Sequence, residues 1–560
     1  MPRTTPSGTG GPPRTSGRPP TLVFAASVTL ILAFILAAAV FPETLSAISS
    51  TGLAYVTETT GWSMLLVPLG LIALLLFLAV SRFGRIRLGP DDARPEYPTY
   101  AWIAMLLSAV MGIGLISYGV AQPVSHLLVP PHGLTEPGTQ AAVVDALRFS
   151  FLDWGVHAWA IFALFGLAIG YSTYRLGNRG LVSPALRPLL GRHADGATGK
   201  VIDVLVVIST LFGTATSLGL GAAQISHGMT LLSGTDLTST TLQIVMIASL
   251  TVIFTVSAIS GISRGIRYLS EVTMVVAGLL LVFVFLTGPS SYLVHVFLRS
   301  VGSYISDFTA LSLMMPTTEN HLVWMQDWTY FMMAWWVSWG AFVGIFLARI
   351  SRGRTIRQFV FVVLGVPALV FAAWFTVFGG SAMHMDINDG TGIGEAASED
   401  VNTAFFGLLE HLPLTLVTSV VAVLLVVMYF VTSADSNTYV LAVISSDGDM
   451  APRKRVLLVW GVLTGSVASI LLYAGGLQAL QTTVILSAAP FVFVILALAV
   501  ATVLQLRKDP LVHGSADARG VLADPATRSA SYGSPDPEPA PVRPERTRTD
   551  TADVQDEGGH

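Results

Sequence analysis

The sequence predicts an all-α polytopic membrane protein, and three observations carry that prediction. First, 52% of its 560 residues are hydrophobic and only 11% are charged, where a soluble domain has about 25% charged residues. Second, mean hydropathy is +0.68, and apolar runs recur at the ~20 residues that cross a hydrocarbon layer roughly 30 Å thick. Third, the basic residues are confined to alternate loops. A soluble enzyme, a nucleic-acid-binding module and a disordered scaffold are thereby excluded for the bulk of the chain. The net charge of −4 predicts no polyanionic partner. With no cysteine, disulfides, thiolate metal sites and cysteine nucleophiles are excluded.

Residues 1–20 are rich in Pro, Gly, Ser and Thr with three arginines, a composition that buries no core and predicts disorder. The apolar run that follows has full spanning length and no marked small-residue cleavage pattern, so no cleavable signal peptide is expected. Twelve spans are predicted, near 22–41, 62–80, 100–127, 154–174, 201–231, 241–259, 268–287, 328–350, 355–380, 413–444, 454–475 and 483–505. The segment 292–308 mixes apolar and polar residues and predicts an interfacial amphipathic helix. Beyond Leu506 the composition turns polar and Pro-rich, as in SPDPEPAPVRPERTRTD, and predicts a solvated tail.

Charge tests this count independently. With the N-terminus placed inside, 28 of the 30 Lys and Arg fall in cytoplasmic segments, and only Arg148 and Arg299 fall outside. A wrong helix count would scramble that separation, so the positive-inside rule supports twelve spans with both termini cytoplasmic. The outer loop 381–412 is acidic instead, with Asp386, Asp389, Glu395, Glu399, Asp400 and Glu410.

The third span contains Met111, Gly112, Ile113 and Gly114, followed by Gly119 and Pro123. Each glycine costs a helix roughly 1 kcal/mol against alanine, so backbone can unwind there and expose carbonyls. Tight packing through small residues is the competing reading. The eighth span holds Trp335, Trp336 and Trp339 in AWWVSWGAF. Trp335 and Trp339 share a helix face, with Trp336 about 100° round. Trp324 and Trp328, at the outer end, fit an interfacial belt. The fourth span adds Trp154, Trp159 and Phe162.

Electron-rich rings with no acid among them suit a quaternary ammonium or sulfonium group. Such a group has no N–H for a carboxylate, and each indole face attracts it by about 0.5–2 kcal/mol when desolvated. An apolar aromatic core is the plainer alternative. Hydroxyls form a second constellation: Thr210 and Thr214 one turn apart, and Thr432 beside Ser433. Hydroxyl and carbonyl oxygens can replace part of a sodium ion's hydration shell, although membrane Ser and Thr commonly bond the i−4 carbonyl.

The runs MGIGLISYGVAQPVSH, LFGTATSLGLGAAQI, SAISGISRGIRYLSEVTMV, AWWVSWGAFVGIFLARISRGRTIR and FVTSADSNTYVL resemble the betaine/choline/carnitine transporter family from the third span to the twelfth. The resemblance implies a leucine-transporter-like fold: two extra helices over 21–99, then inverted five-helix repeats over 100–290 and 328–506. The amphipathic segment would occupy 291–327 on the periplasmic side, and 507–560 would form the cytoplasmic tail. It also implies alternating access, a homotrimer in the plasma (inner) membrane, and no cofactor beyond coupling sodium ions. Carried over by position, the substrate box is Trp335, Trp336, Trp339, Trp154, Trp159 and Phe162, with Met111 beside it. One sodium site would use the carbonyls of Met111 and Tyr429 with the side chains of Thr432 and Ser433. The other would use Thr210 and Thr214 near the Phe342 ring.

Some positions depart from the family pattern. Val110 replaces a glycine, Gln122 stands for a glutamate before the proline, Asp153 for a histidine, and Ala158 and Ala341 for prolines. Capping its helix is the preferred reading of Asp153, ahead of drawing cations to the mouth. Leu115 follows Gly114 where proton-coupled relatives carry an acid in the glycine run, which favours sodium. The tail, with ten acids and five arginines after Lys508, is unlike a basic osmosensing helix. The expected function is import of a small quaternary-ammonium or zwitterionic solute, glycine betaine foremost or a choline- or carnitine-type compound, by sodium symport. Alternatives are proton coupling, sodium-independent exchange, or a related osmolyte such as ectoine, proline or dimethylsulfoniopropionate. HExxH does not occur, and the single GxSxG match, Gly261 to Gly265, lies between two predicted spans and follows no strand, so it lacks the strand-to-helix context of a nucleophile elbow and does not point to an intramembrane enzyme. A channel is the remaining rival, and the tryptophan box suits a discrete solute better than ion flow.

Overall fold

The computed structural model describes residues 21–108, 111–260 and 263–513. The expectations for 1–20, for Val110 and for the tail beyond His513 lie outside the described residues. Among the described residues helices account for the architecture, and the one bridge between extended residues joins Arg87 to Thr355. In chain order the principal helices are α1 (Leu22–Val40), α2 (Pro42–Thr60), α3 (Ser63–Val80), α4 (Thr99–Ser108), α5 (Ile113–Leu128), α6 (Gln140–Trp154), α7 (Val156–Gly170) and α8 (Ala197–Ser233). They continue as α9 (Thr240–Ser260), α10 (Ser263–Thr287), α11 (Ser290–Ser306), α12 (Glu319–Met325), α13 (Phe331–Ile350), α14 (Ile356–Asp389), α15 (Thr415–Ser445) and α16 (Lys454–Arg507).

Ten helices among the described residues are long and apolar enough to cross a membrane, and eleven if the pair Thr99–Ser108 and Ile113–Gly133, bent by 71°, is one crossing. The bend falls on the glycine run, where Gly112 adopts extended backbone at the start of α5. Helix α16 runs for 54 residues, roughly 80 Å at 1.5 Å per residue, far more than a bilayer spans. It is interrupted at Gly475 and Gly476, the latter at φ 61°, a left-handed conformation that glycine adopts without steric cost. Each arm, 454–474 and 477–507, keeps crossing length.

Segments outside the predicted spans are helical too. α2 fills the connection between the first two spans, and the predicted amphipathic segment forms α11. The acidic outer loop starts later than expected because α14 continues to Asp389. There Asp386 accepts hydrogen bonds from the Ile393 and Gly394 amides, at 2.8 and 2.7 Å, and from the Thr391 hydroxyl. Capping therefore absorbs that carboxylate. Asp400, in the same loop, sits partly buried, which opposes ionisation, but hydrogen bonds from His227 and the Asn402 amide hold its carboxyl below the usual range.

Burial separates inner helices from outer ones. In Gln140–Arg175 and Glu319–Ile350, 94% and 89% of the most apolar stretch is buried, against 22% in α1 and in Tyr268–Thr287. The spans carrying the tryptophans are thus the enclosed ones. Glycines permit this closeness: a Cβ on Gly344 would lie 2.3 Å from Phe165 Cβ, and one on Gly340 would lie 2.4 Å from the Phe165 ring. Small residues let membrane helices meet at backbone distance. Arg148, one of the two basic residues on the acid-rich side, is paired with Asp145 at 2.9 Å and Asp307 at 2.7 Å, so its charge is neutralised where it lies.

At the arginine-rich end, Arg175 grips Asp509 with two bonds, Nε–Oδ2 at 2.5 Å and Nη2–Oδ1 at 2.9 Å, while Tyr171 donates to the same carboxylate at 2.8 Å. The two charged side chains are 9% and 0% exposed. Arg175 also reaches Asp91 at 2.7 Å, a side chain 58% exposed, so losing Asp509 leaves the buried guanidinium with one exposed partner and costs less than the ~3–5 kcal/mol of a stranded charge. Asp509→Ala is therefore expected to lower the thermal unfolding midpoint in detergent by several degrees; an unchanged midpoint would show that this pair does not hold the end of α16.

Candidate functional site

The predicted aromatic residues converge. Trp154, at the end of α6, meets Trp336 with centroids 4.8 Å apart at 75°, and Trp335 at 6.4 Å and 81°. Trp335 stacks on Trp336 at 5.5 Å and 13° and meets Trp339 edge-on at 6.3 Å. Phe162 links Trp159, at 5.6 Å, to Trp336, at 6.0 Å. Phe342 continues the cluster from Trp339 at 5.8 Å. These edge-to-face geometries are the arrangements that ring quadrupoles favour. All seven rings are at most 7% exposed, so the cluster is closed to solvent in this conformation.

Local breaks place the rings. Gly155 separates α6 from α7 with non-helical backbone, which sets Trp154 and Trp159 on different helices facing one cluster. Before α13, a π-helical turn over Gln326–Tyr330 shifts the helix face. Gly114 lies directly against two indoles: a Cβ there would sit 2.8 Å from Trp154 Cη2 and 3.0 Å from Trp335 Cη2. Gly114→Val is expected to reduce uptake roughly tenfold, since overpacking a rigid site costs about 1–3 kcal/mol; full uptake by this variant would show that the rings tolerate displacement from the third span.

Tyr118, Phe371 and Phe375 belong to the cluster and were not singled out from sequence. Tyr118 lies 6.2 Å from Trp154 and 6.1 Å from Trp335. Phe375 and Phe371 lie 5.2 and 6.0 Å from Trp154. One signal was present: Tyr118 follows Gly114 by four residues, and Phe375 follows Phe371 by four, each a same-face helical spacing. Of the two tryptophans expected at the outer end, Trp324 turns inward. Trp324 is buried against His126, at 4.9 Å, and Phe149, while Trp328 packs on His126 and Tyr118.

Asp153 corrects two readings. It is the penultimate residue of α6, so it cannot cap that helix's N-terminus, and at 0% exposure it presents no charge to an open mouth. Its carboxylate accepts from Gln122 at 2.7 Å, and its main-chain oxygen accepts from Trp336 Nε1 at 2.7 Å. An acid therefore does border the rings.

The hydroxyl residues lie on helices packed around the same core. Trp335 Nε1 donates to the Gly213 carbonyl at 3.2 Å, which joins α13 to the turn of α8 carrying Thr210 and Thr214. Thr214 donates to the Thr210 carbonyl at 3.0 Å, whereas Thr210 Oγ1 is buried with no partner. A Cβ on Gly221 would meet Ile113 at 2.8 Å and Phe430 at 2.9 Å, so the start of α5 and the Tyr429 region of α15 approach the same point on α8. Thr432 donates to the Met428 carbonyl at 2.8 Å. Donating uses its proton and leaves its lone pairs, the groups a hard cation needs. Met111 sits half-buried just before α5, and Ser433 is half-buried beside Thr432.

Broken and bent spans around an enclosed aromatic site define a polytopic membrane carrier. Comparison with known proteins agrees: a model of the "BCCT, betaine/carnitine/choline family transporter" matches residues 22–511. A glycine betaine transporter of Bacillus subtilis, OpuD, is 43% identical over 489 residues, 87% of this chain and 94% of the relative. A probable glycine betaine transporter of Desulfitobacterium hafniense is 39% identical over 86% of this chain and 97% of its own length. An ectoine/hydroxyectoine transporter of Virgibacillus pantothenticus is 37% identical over 85% and 94%. The chain belongs to the betaine/carnitine/choline transporter family and is a multi-pass membrane transporter, not an enzyme.

Proposed function

We propose that this transporter imports a quaternary-ammonium or zwitterionic compatible solute, glycine betaine foremost, by sodium symport through alternating access. The observation that carries the reading is the closed cluster of indoles in which Trp159 Nε1 and Trp339 Nε1 are buried donors without a protein partner. Ring faces attract a methylated onium group, and free indole N–H groups suit the carboxylate at the other end of a zwitterion. The partnerless Thr210 hydroxyl and the open lone pairs of Thr432 support hard-cation sites, with Thr214, Ser433 and the Met111 and Tyr429 carbonyls completing them. The two relatives named for glycine betaine favour that solute, and the relative named for ectoine makes ectoine the second candidate.

The same reading takes twelve crossings, counting the bent pair as one and α16 as two, with both termini in the cytoplasm of a plasma-membrane protein. Irregular backbone at the start of α5 and ahead of α13 supports two five-helix repeats, with the third and eighth spans equivalent. A homotrimer completes the proposal. The test is uptake by proteoliposomes across betaine, choline, carnitine, proline, ectoine and dimethylsulfoniopropionate, with and without a sodium gradient. Accumulation of betaine that collapses without sodium is expected; indifference to every onium solute, or equal uptake without sodium, would overturn it.

A further inference from the structure

We propose that Gln122 and Asp153 are positioning residues for the aromatic site, forming an oriented hydrogen-bond chain that holds the Trp154 and Trp336 rings. The proposal rests on the reading that these rings receive the solute. Trp154 Nε1 donates to Gln122 Oε1 at 2.8 Å, Gln122 Nε2 donates to Asp153 Oδ2 at 2.7 Å, and Trp336 Nε1 donates to the Asp153 main-chain oxygen at 2.7 Å. Gln122 and Asp153 are both 0% exposed, so water does not replace a lost bond.

Donor and acceptor chemistry permits one direction. An indole N–H can only donate, so it takes the amide oxygen of Gln122 and turns the NH₂ toward position 153. Position 153 must then accept, as Asp153 does. The chain thus ties α5, α6 and α13 together at the two rings that approach each other to 4.8 Å. Gln122 and Asp153 are the two partners of one buried hydrogen bond. A change at either alone is expected to matter through the other.

That coupling gives the substitutions unequal effects. Gln122→Glu keeps the acceptor for Trp154 but faces Asp153 with a second carboxyl group, so the two either repel each other as carboxylates or must take up a proton to share. Asp153→Asn keeps an acceptor for Gln122, and its NH₂ takes the place of Oδ1, which has no hydrogen-bond partner to lose. In the double variant Gln122→Glu/Asp153→Asn, the new amide donates to the new carboxylate and the chain re-forms with acid and amide exchanged.

The experiment measures KM and maximal rate of glycine betaine uptake in proteoliposomes under a sodium gradient, per amount of monodisperse reconstituted protein. Gln122→Glu is expected to raise KM by about tenfold or more at the alkaline end of a pH series, where the shared proton is lost, with the maximal rate changed less than the KM. Asp153→Asn should stay within about threefold of the parent, and the double variant should recover to a similar range. A structural defect alone would lower the maximal rate and leave KM in place. An unchanged KM in Gln122→Glu at that alkaline end, or a double variant as impaired as that single change, would overturn the proposal. Should Gln122→Glu fail to yield folded protein, Gln122→Met removes both bonds at similar volume; it must also raise KM, and an unchanged KM refutes the chain. If the parent accumulates another solute of the panel instead of betaine, the transport reading fails on that point, and the same KM ratios are read with that solute.

Discussion

Trp339→Ala is expected to raise the KM for betaine uptake by roughly 30- to 1000-fold, the equivalent of about 2–4 kcal/mol. Three losses add to that figure. The onium group loses one ring face, worth about 0.5–2 kcal/mol when desolvated. The edge-on contacts with Trp335, at 6.3 Å, and Phe342, at 5.8 Å, are lost from the wall of the site, at about 0.5–1.5 kcal/mol each when intact. A carboxylate end loses the unpartnered Nε1 donor, and a hydrogen bond to a charged group contributes about 1.5–3 kcal/mol. Because such terms overlap, their sum exceeds the expected effect. Trp339→Phe separates them, since it keeps a face and removes the donor, and it should fall between the parent and the alanine variant for a zwitterion. Unchanged KM in Trp339→Ala would remove this ring from the site.

Replacing Thr432 and Ser433 together with alanine is expected to abolish sodium stimulation of uptake. The proposed ion would lose two side-chain oxygens and keep only the Met111 and Tyr429 carbonyls, too few for a cation that favours several hard ligands. The Thr432 hydroxyl lies 2.8 Å from the Met428 oxygen and 3.3 Å from the Tyr429 oxygen, so the pair of substitutions alters the region of the carbonyl assigned to the ion. The measurement is initial uptake against external sodium at fixed solute. A sodium curve that matches the parent in midpoint and amplitude would refute this assignment and leave Thr210 and Thr214 as the candidates.

Much of the site was legible as residue type and spacing. Trp335 and Trp339 at i and i+4 do face one cluster, and the glycines from 112 to 114 do mark a bend. The same one-dimensional reading missed the burial of Trp324, because distance along a helix from its end does not tell lipid from protein. It misjudged Asp153 because a capping residue and a penultimate residue differ only by where the helix begins, and α6 begins at Gln140, ahead of the predicted span. Tyr118, Phe371 and Phe375 escaped notice because aromatic residues are common in apolar helices and only their neighbours distinguish core from site.

The sequence by itself determined the repeated membrane crossings, the confinement of its basic residues to alternate loops and the resemblance to one transporter family, because hydropathy, length and charge are properties of each segment alone. Only the tertiary structure decided that Gln122 meets Asp153, that Trp335 reaches the Gly213 carbonyl, and that Gly114 lies beneath two indoles. The physical reason is that an amphipathic or uniformly apolar helix can rotate and pair in several ways at similar solvation energy. Close contact at glycines and the satisfaction of buried donors select one of them.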